Sequence, residues 1–126
     1  MNELAFYSRV FAGCLHHATI HGGALLFEPR SALSALECVA RSGAHIAVVE
    51  CWAGTFEPYM IEDIYWDCLA IDDETLAKPD GASVAVAMAR DYITRSLPPT
   101  TTYVSFIFTE LLPNNVTSED EKGDVV

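Results

Sequence analysis

Apolar residues in this chain recur with two different periods, and the switches between them divide it into short elements. Over residues 1–20, Leu4, Phe6, Tyr7, Val10, Phe11 and Leu15 fall at spacings closer to a helix than to a strand. Gly22-Gly23 ends that segment. Residues 24–28 read as a short strand stopped by Pro29, because proline cannot continue a central ladder. Over 31–42, Leu33, Leu36, Val39 and Ala40 make an apolar stripe while Ser34, Glu37 and Arg41 face away. Glu37 and Arg41 are spaced for an i,i+4 ion pair, and Gly43 stands where a left-handed helix cap is expected.

Residues 46–52 are apolar at both parities until Glu50, the pattern of a central strand with a polar end. After a loop over 54–60, residues 61–70 read as a second strand. Ile64, Trp66, Cys68 and Ala70 would share one face, with Asp63, Tyr65, Asp67 and Leu69 on a partly wet one. An acidic loop follows over 71–79. Asp80 or Ser83 then caps a helix running to about residue 96, with Ala85, Met88, Ala89, Tyr92 and Ile93 inward and Arg90, Asp91 and Arg95 outward. Pro98-Pro99 ends it. Residues 103–110 alternate, with Val104, Phe106 and Phe108 inward. Past the N-terminal segment the order is β-α-β-β-α-β, which predicts an α+β domain of ferredoxin-like arrangement. Two helices would cover one face of a mainly antiparallel four-stranded sheet, leaving the second face for function or for the N-terminal segment. The domain is expected to span 1–112, and the polar, acidic stretch 113–126 to be a disordered tail.

Charge sharpens this picture. Nine carboxylates between Glu50 and Asp80 face one base, Lys78, so that stretch carries −8 of the net charge of −11. The stretch from Pro113 onward carries −3, and the remainder is neutral. A sequence pI near 4.5 opposes binding to nucleic acid phosphates and to anionic membrane surfaces. No apolar run reaches the roughly 18 residues that a bilayer span needs. Glu3 and Arg9 do not fit a secretory leader, and four cysteines without a C-x-x-C pair fit reduced thiols in a cytoplasmic protein.

Three constellations are candidates for chemistry. His16, His17 and His21 would place His17 and His21 on one face of a helix, a spacing that metal sites use, but H-E-x-x-H glutamate is absent and no third ligand is adjacent. Cys14, Cys38, Cys51 and Cys68 lack the neighbouring base that activates a nucleophile and read as core residues. Asp63 and Asp67 would stand about 13 Å apart along a strand, and Asp72-Asp73-Glu74 resembles no calcium loop. A metal-dependent hydrolytic enzyme or a small-molecule binder, using the acidic face or the histidines, is the alternative these residues leave open. The main reading is a non-catalytic binding surface that needs no cofactor. Trp52, Phe56, Tyr59, Tyr65 and Trp66 are interleaved with Glu57, Glu62, Asp63 and Asp67, and Asp72, Asp73 and Glu74 extend the acidic run. Aromatic anchors beside carboxylates suit an interface for a basic protein, with rings supplying desolvated area and acids supplying steering.

From 24 to 110 the chain resembles the immunity protein 40 family of bacterial polymorphic toxin systems. The resemblance lies in Pro29-Arg30-Ser31-Ala32-Leu33 opening a helix that contains Ala35-Leu36-Glu37, and in the run from Ser42-Gly43-Ala44-His45 through Ile46-Ala47-Val48-Val49-Glu50. The aromatic-acidic middle with Trp66-Asp67 and the final Tyr103-Val104-Ser105-Phe106 complete it. The resemblance implies an immunity protein that binds and blocks a toxin, such as one delivered by a neighbouring cell in contact-dependent inhibition. The acidic surface fits a cationic toxin domain, for example a nuclease.

Overall fold

The strand that is apolar at both parities sits at the centre. In the computed structural model, which describes residues 3–21, 24–54, 61–62 and 68–112, β3 (Ile46–Gly54) pairs along both edges. On one edge it pairs antiparallel with β6 (Tyr103–Phe108), from Ile46 opposite Phe108 to Trp52 opposite Tyr103, with a register irregularity between Ile46 and Val48. On the other edge it pairs antiparallel with β5 (Cys68–Ala70), and at its end, Ala53 and Gly54, it pairs antiparallel with β4 (Ile61–Glu62). A separate hairpin of β1 (Thr19–His21) and β2 (Ala24–Leu26) joins the outer edge of β6. The join is a single bridge in which Phe27 and Val104 exchange backbone hydrogen bonds of 2.9 and 2.7 Å.

The α+β class holds, but the ferredoxin-like order does not. That order makes the second strand of the β-α-β-β-α-β series an edge, whereas here β3 is central and the first strand lies beyond β6. The side chains of β3 explain the difference. Ile46, Ala47, Val49, Cys51, Trp52 and Ala53 are all buried, a distribution that only a strand covered on both faces tolerates.

Three helices, rather than two, cover one face of the sheet. Pro29 ends the β2 segment and starts α2 (Pro29–Ser42) at its first turn, where a missing N–H removes no bond. Gly43 closes that helix at φ +77°, a left-handed conformation that glycine adopts without a Cβ penalty, and its N–H bonds the Val39 carbonyl at 3.1 Å. The face of α2 that is buried comprises Ala32, Ala35, Leu36, Cys38 and Val39, so Leu33 is only half-buried and Ala40 is exposed, against the sequence expectation. On α4 (Gly81–Arg95) the buried set is Gly81, Ala85, Val86, Ala89, Tyr92 and Ile93, and Met88 lies outside. Both shifts follow from the two helices packing on each other as well as on the sheet. Alanines at 32, 35, 85 and 89, all fully buried, let the helices approach closely. The expected Glu37–Arg41 pair is replaced by a bond across to the other helix, Arg90 to Glu37 at 2.8 Å.

The third helix, α1 (Glu3–Val10), brings the N-terminal segment onto the same layer and not onto the second face. Phe6 meets Phe108 edge-on with ring centroids 5.3 Å apart, and Phe11 stands 5.1 Å from Phe27 and 5.8 Å from Phe108. Such offset and edge-to-face pairs add to the area they bury. One contiguous core therefore runs from Phe6 to Phe108. The expected tail, 113–126, lies outside the described residues.

Residues 71–79 are not all loop. Asp72 caps a single turn, α3 (Asp73–Leu76), and the chain then folds back so that Gly81 opens α4 against it. A Cβ on Gly81 would fall 2.9 Å from the Thr75 carbonyl oxygen and closer still to the Leu76 carbonyl, all of it backbone. Gly81→Ala should therefore destabilise the protein by about 1–3 kcal/mol despite alanine's better helix propensity. A lower urea midpoint at unchanged slope would be the expected record, and an unchanged or higher midpoint would contradict this packing.

Candidate functional site

Two short described pieces of the acidic segment, β4 and β5, pair with β3. β5 runs antiparallel to β3, so Cys68 lies opposite Glu50 and Ala70 opposite Val48. Ile71 then bonds Ala47 through its N–H at 2.9 Å. Asp72, Asp73 and Glu74 thus follow at the start of β3, whereas Gly54 and Ile61 pair at its far end. Seven residue steps of β3 separate Ala47 from Gly54, about 23 Å at strand rise. Asp72, Asp73 and Glu74 therefore lie toward the end of β3 remote from Glu62.

Of the residues singled out from the sequence, Glu57, Tyr59, Asp63, Tyr65 and Asp67 lie outside the described residues. Glu62 is placed by its backbone in β4, opposite Ala53. Asp72, Asp73 and Glu74 are exposed around the first turn of α3. Asp72 has a structural duty: its Oδ1 accepts from the Thr75 N–H at 2.7 Å. Side-chain and backbone hydrogen bonding to Thr75 holds its carboxyl below the ordinary range, with Lys78 adding a smaller pull. Asp73 and Glu74 occupy the positive end of that turn and remain at the surface.

The expected faces of the second strand are reversed where it is described. Leu69 pairs with fully buried Val49 and shares the helix-covered side, while Cys68 and Ala70 are exposed on the other. Residues directly opposite in a pair share a face, so Cys68 and Ala70 take the side of Glu50 and Val48. Cys68 is accordingly a surface thiol, whereas Cys14, Cys38 and Cys51 are buried. The histidines also part company. His17 ends a 3-10 turn (Leu15–His17) and His21 lies in β1, so no helical face brings them together. His16 and His17 stack with centroids 4.0 Å apart. Among the described residues, no three His, Cys, Asp or Glu side chains gather as a metal site would require.

The second face of the sheet holds a feature that the sequence reading passed over. Trp52 donates its indole N–H to the Ser105 hydroxyl at 2.8 Å, and that hydroxyl donates to Glu50 Oε1 at 3.0 Å. Glu50 and Ser105 are direct cross-strand partners. Ser105 is 4 % exposed and Trp52 6 %, and Trp52 forms a small second cluster with fully buried Leu26. With its proton and one lone pair engaged, the hydroxyl serves as a fastening that orients a carboxylate. The signal was a glutamate inside an apolar run opposite the lone serine of Tyr103–Phe108. It becomes legible only once the register is known.

No family model, no curated protein and no solved structure matches this chain. The immunity-family resemblance therefore rests on the residues quoted for it above.

Two predictions follow from the bonded carboxylates. Ser105→Ala leaves the buried indole N–H without its acceptor and should lose about 1–3 kcal/mol of stability, whereas Glu50→Gln, which keeps an acceptor, should lose less. Urea unfolding of both variants ranks them, and an equal or reversed ranking would show that the hydroxyl is not the critical link. For Asp72 the folded pKa is depressed, so its contribution is present above the unfolded value of 3.8 and is lost as pH falls through the folded one. Asp72→Ala should melt lower than wild type at neutral pH and converge with it in strong acid. Asp72→Asn, which preserves a capping oxygen, should retain more of the neutral-pH stability.

Proposed function

We propose that this protein is an immunity protein that neutralises a cationic toxin domain by binding it along the acidic edge of the sheet, without catalysis of its own. The observation that carries this reading is the segregation of charge. The stretch from Glu50 to Asp80 holds −8 of the net −11; its described strands β4 and β5 pair with β3, and Asp73 and Glu74 are exposed in α3. A surface of one sign steers an oppositely charged partner and raises its association rate. The aromatic residues within the same stretch, Tyr59 and Tyr65 among them, supply the desolvated area that acids lack. Among the described residues no helix is long and apolar enough to cross a membrane. The proposed setting is the cytoplasm, where a producing cell needs such protection.

The partner to test is the C-terminal domain of a large secreted protein encoded beside this chain. Co-expression should restore growth to cells making that domain. Reversing Glu57, Glu62, Asp63 and Asp67 to lysine should slow association by about tenfold or more at low salt and flatten its salt dependence. Tyr59→Ala or Tyr65→Ala should mainly speed dissociation. Stopped-flow traces at low and high salt read both effects, with circular dichroism confirming the fold. Wild-type association by the four-charge variant at every salt concentration would reduce the acidic edge to a solvated face.

A further inference from the structure

The β1–β2 hairpin leaves the far side of β1 open. Phe27 exchanges both of its backbone hydrogen bonds with Val104 of β6. Backbone groups of successive strand residues point to opposite edges, so Leu25 also points toward β6, while Ala24 and Leu26 point toward β1. Leu25 stands opposite Ile20, so theirs is a non-bonded pair, and the Ile20 N–H and C=O are turned outward. Among the described residues neither group has a partner. The Ile20 side chain is 68 % exposed and Leu4 is 69 %, the most exposed large apolar residues described. The fold brings these two together. With Glu3, Tyr7 and Leu25 they line a groove of about 160 Å³ between α1 and the hairpin. Sheet edges are ordinarily guarded by lysine, proline or a covering element, and Thr19-Ile20-His21 contains neither residue.

We propose that β1 and this groove are a self-association surface, on which a second copy of the chain lays its own β1 antiparallel about a two-fold axis at Ile20. Symmetry and charge both select a second copy. The outward-facing Ile20 is the middle residue of a three-residue strand, so a two-fold there sets it opposite the partner's Ile20 as a bonded pair. Thr19 then comes opposite the partner's His21. Such a contact is isologous and closes at two copies. Residues directly opposite share a face, so the two Ile20 side chains meet on the groove side, flanked by Leu4 from each copy. Residues 1–49 carry Glu3, Glu28 and Glu37 against Arg9, Arg30 and Arg41, a balance of zero in a chain of net −11. β5, which Asp72, Asp73 and Glu74 follow, lies four strand spacings from β1. That is about 19 Å, against a screening length of roughly 8 Å at physiological salt. A second polyanion therefore meets least repulsion at β1, and pairing there keeps the two β5 strands at opposite ends of the joined sheet.

Sedimentation equilibrium of the full chain, up to about 500 µM, should show monomer and dimer with a Kd of about 10–100 µM, as a small interface gives, and no larger species. Added salt should tighten the dimer about threefold or more by screening the repulsion between two copies of net −11. Ile20→Lys sets like charges opposite each other and should abolish it. Ile20→Pro removes only an outward N–H, so circular dichroism should stay that of the wild type while the Kd rises about tenfold or more. Met88→Lys, on the exposed side of α4, should leave the Kd unchanged. Ile20→Cys in a Cys68→Ser chain should link to itself under mild oxidation, because a bonded pair holds its Cα atoms about 5.5 Å apart, within disulfide reach. Peptide mapping places that link, and it decides the matter even if Ile20→Pro fails to fold. A monomer at every concentration, a dimer that Ile20→Lys leaves intact, or no covalent dimer through position 20 would overturn the proposal.

Discussion

β3 is covered on two faces and paired on two edges, and the rest of the molecule is arranged around that requirement. A strand buried in this way can expose neither backbone nor side chains, so each edge needs a partner and each face a layer. β6 takes one edge over six residue pairs. β5 takes the other over three, and β4 pairs with the last two residues of the strand. The helical layer covers Ile46, Val49 and Cys51, and the Cys51 sulfur lies 3.3 Å from the Tyr92 hydroxyl of α4. On the opposite face Trp52 and Leu26 form a smaller apolar contact, bounded by the bonds among Trp52, Ser105 and Glu50. A glutamate inside such a strand is tolerated because the carboxylate is hydrogen-bonded and only partly removed from water.

The charge distribution has a structural meaning beside the functional one. An exposed sheet edge presents unpaired backbone groups and invites pairing with another chain, and charged side chains are a common protection against it. Asp72, Asp73 and Glu74 follow directly on β5, a three-residue partner of β3, and their exposed charge protects that end of the sheet. Self-repulsion limits how many acids a small domain can hold together. One acid, Asp72, is drawn into the backbone as the cap of α3, which leaves Asp73 and Glu74 as the exposed pair at that end.

Much of the secondary structure was legible because it depends on local chemistry. Pro29, Gly43 and Pro98-Pro99 mark helix limits by backbone geometry alone, and the alternation of Val104, Phe106 and Phe108 gave the inward face of β6. Errors arose where a residue's environment depends on a second element. Met88 and Ala40 fit a helical stripe, yet the close approach of α2 and α4 rotates the buried face away from them. Glu37 has an arginine at the right spacing on its own helix and bonds one on another. Cys68 was assigned to the core by counting along one long strand, whereas its pairing opposite Glu50 puts it on the exposed side. The site was less legible than the fold, since the bond from Ser105 to Glu50 links residues that only sheet register makes neighbours.

Register also reconciles the apolar and polar demands on β3. Val49 and Cys51 face the helices opposite Phe106 and Val104, so that parity admits only apolar partners. Glu50 and Trp52 take the other parity, opposite Ser105 and Tyr103, where a hydroxyl lies within reach of both. Replacing Ser105 with a larger apolar residue would meet the volume demand of the second face and abandon its hydrogen-bond demand. The indole N–H and the carboxylate would then compete for water at a site where Trp52 is 6 % exposed. A small hydroxyl residue is the simplest side chain that accepts from one neighbour and donates to the other. The single polar position in an otherwise apolar β6 is thus set by the strand it faces, and through it the carboxylate of Glu50 is held beside the acidic edge.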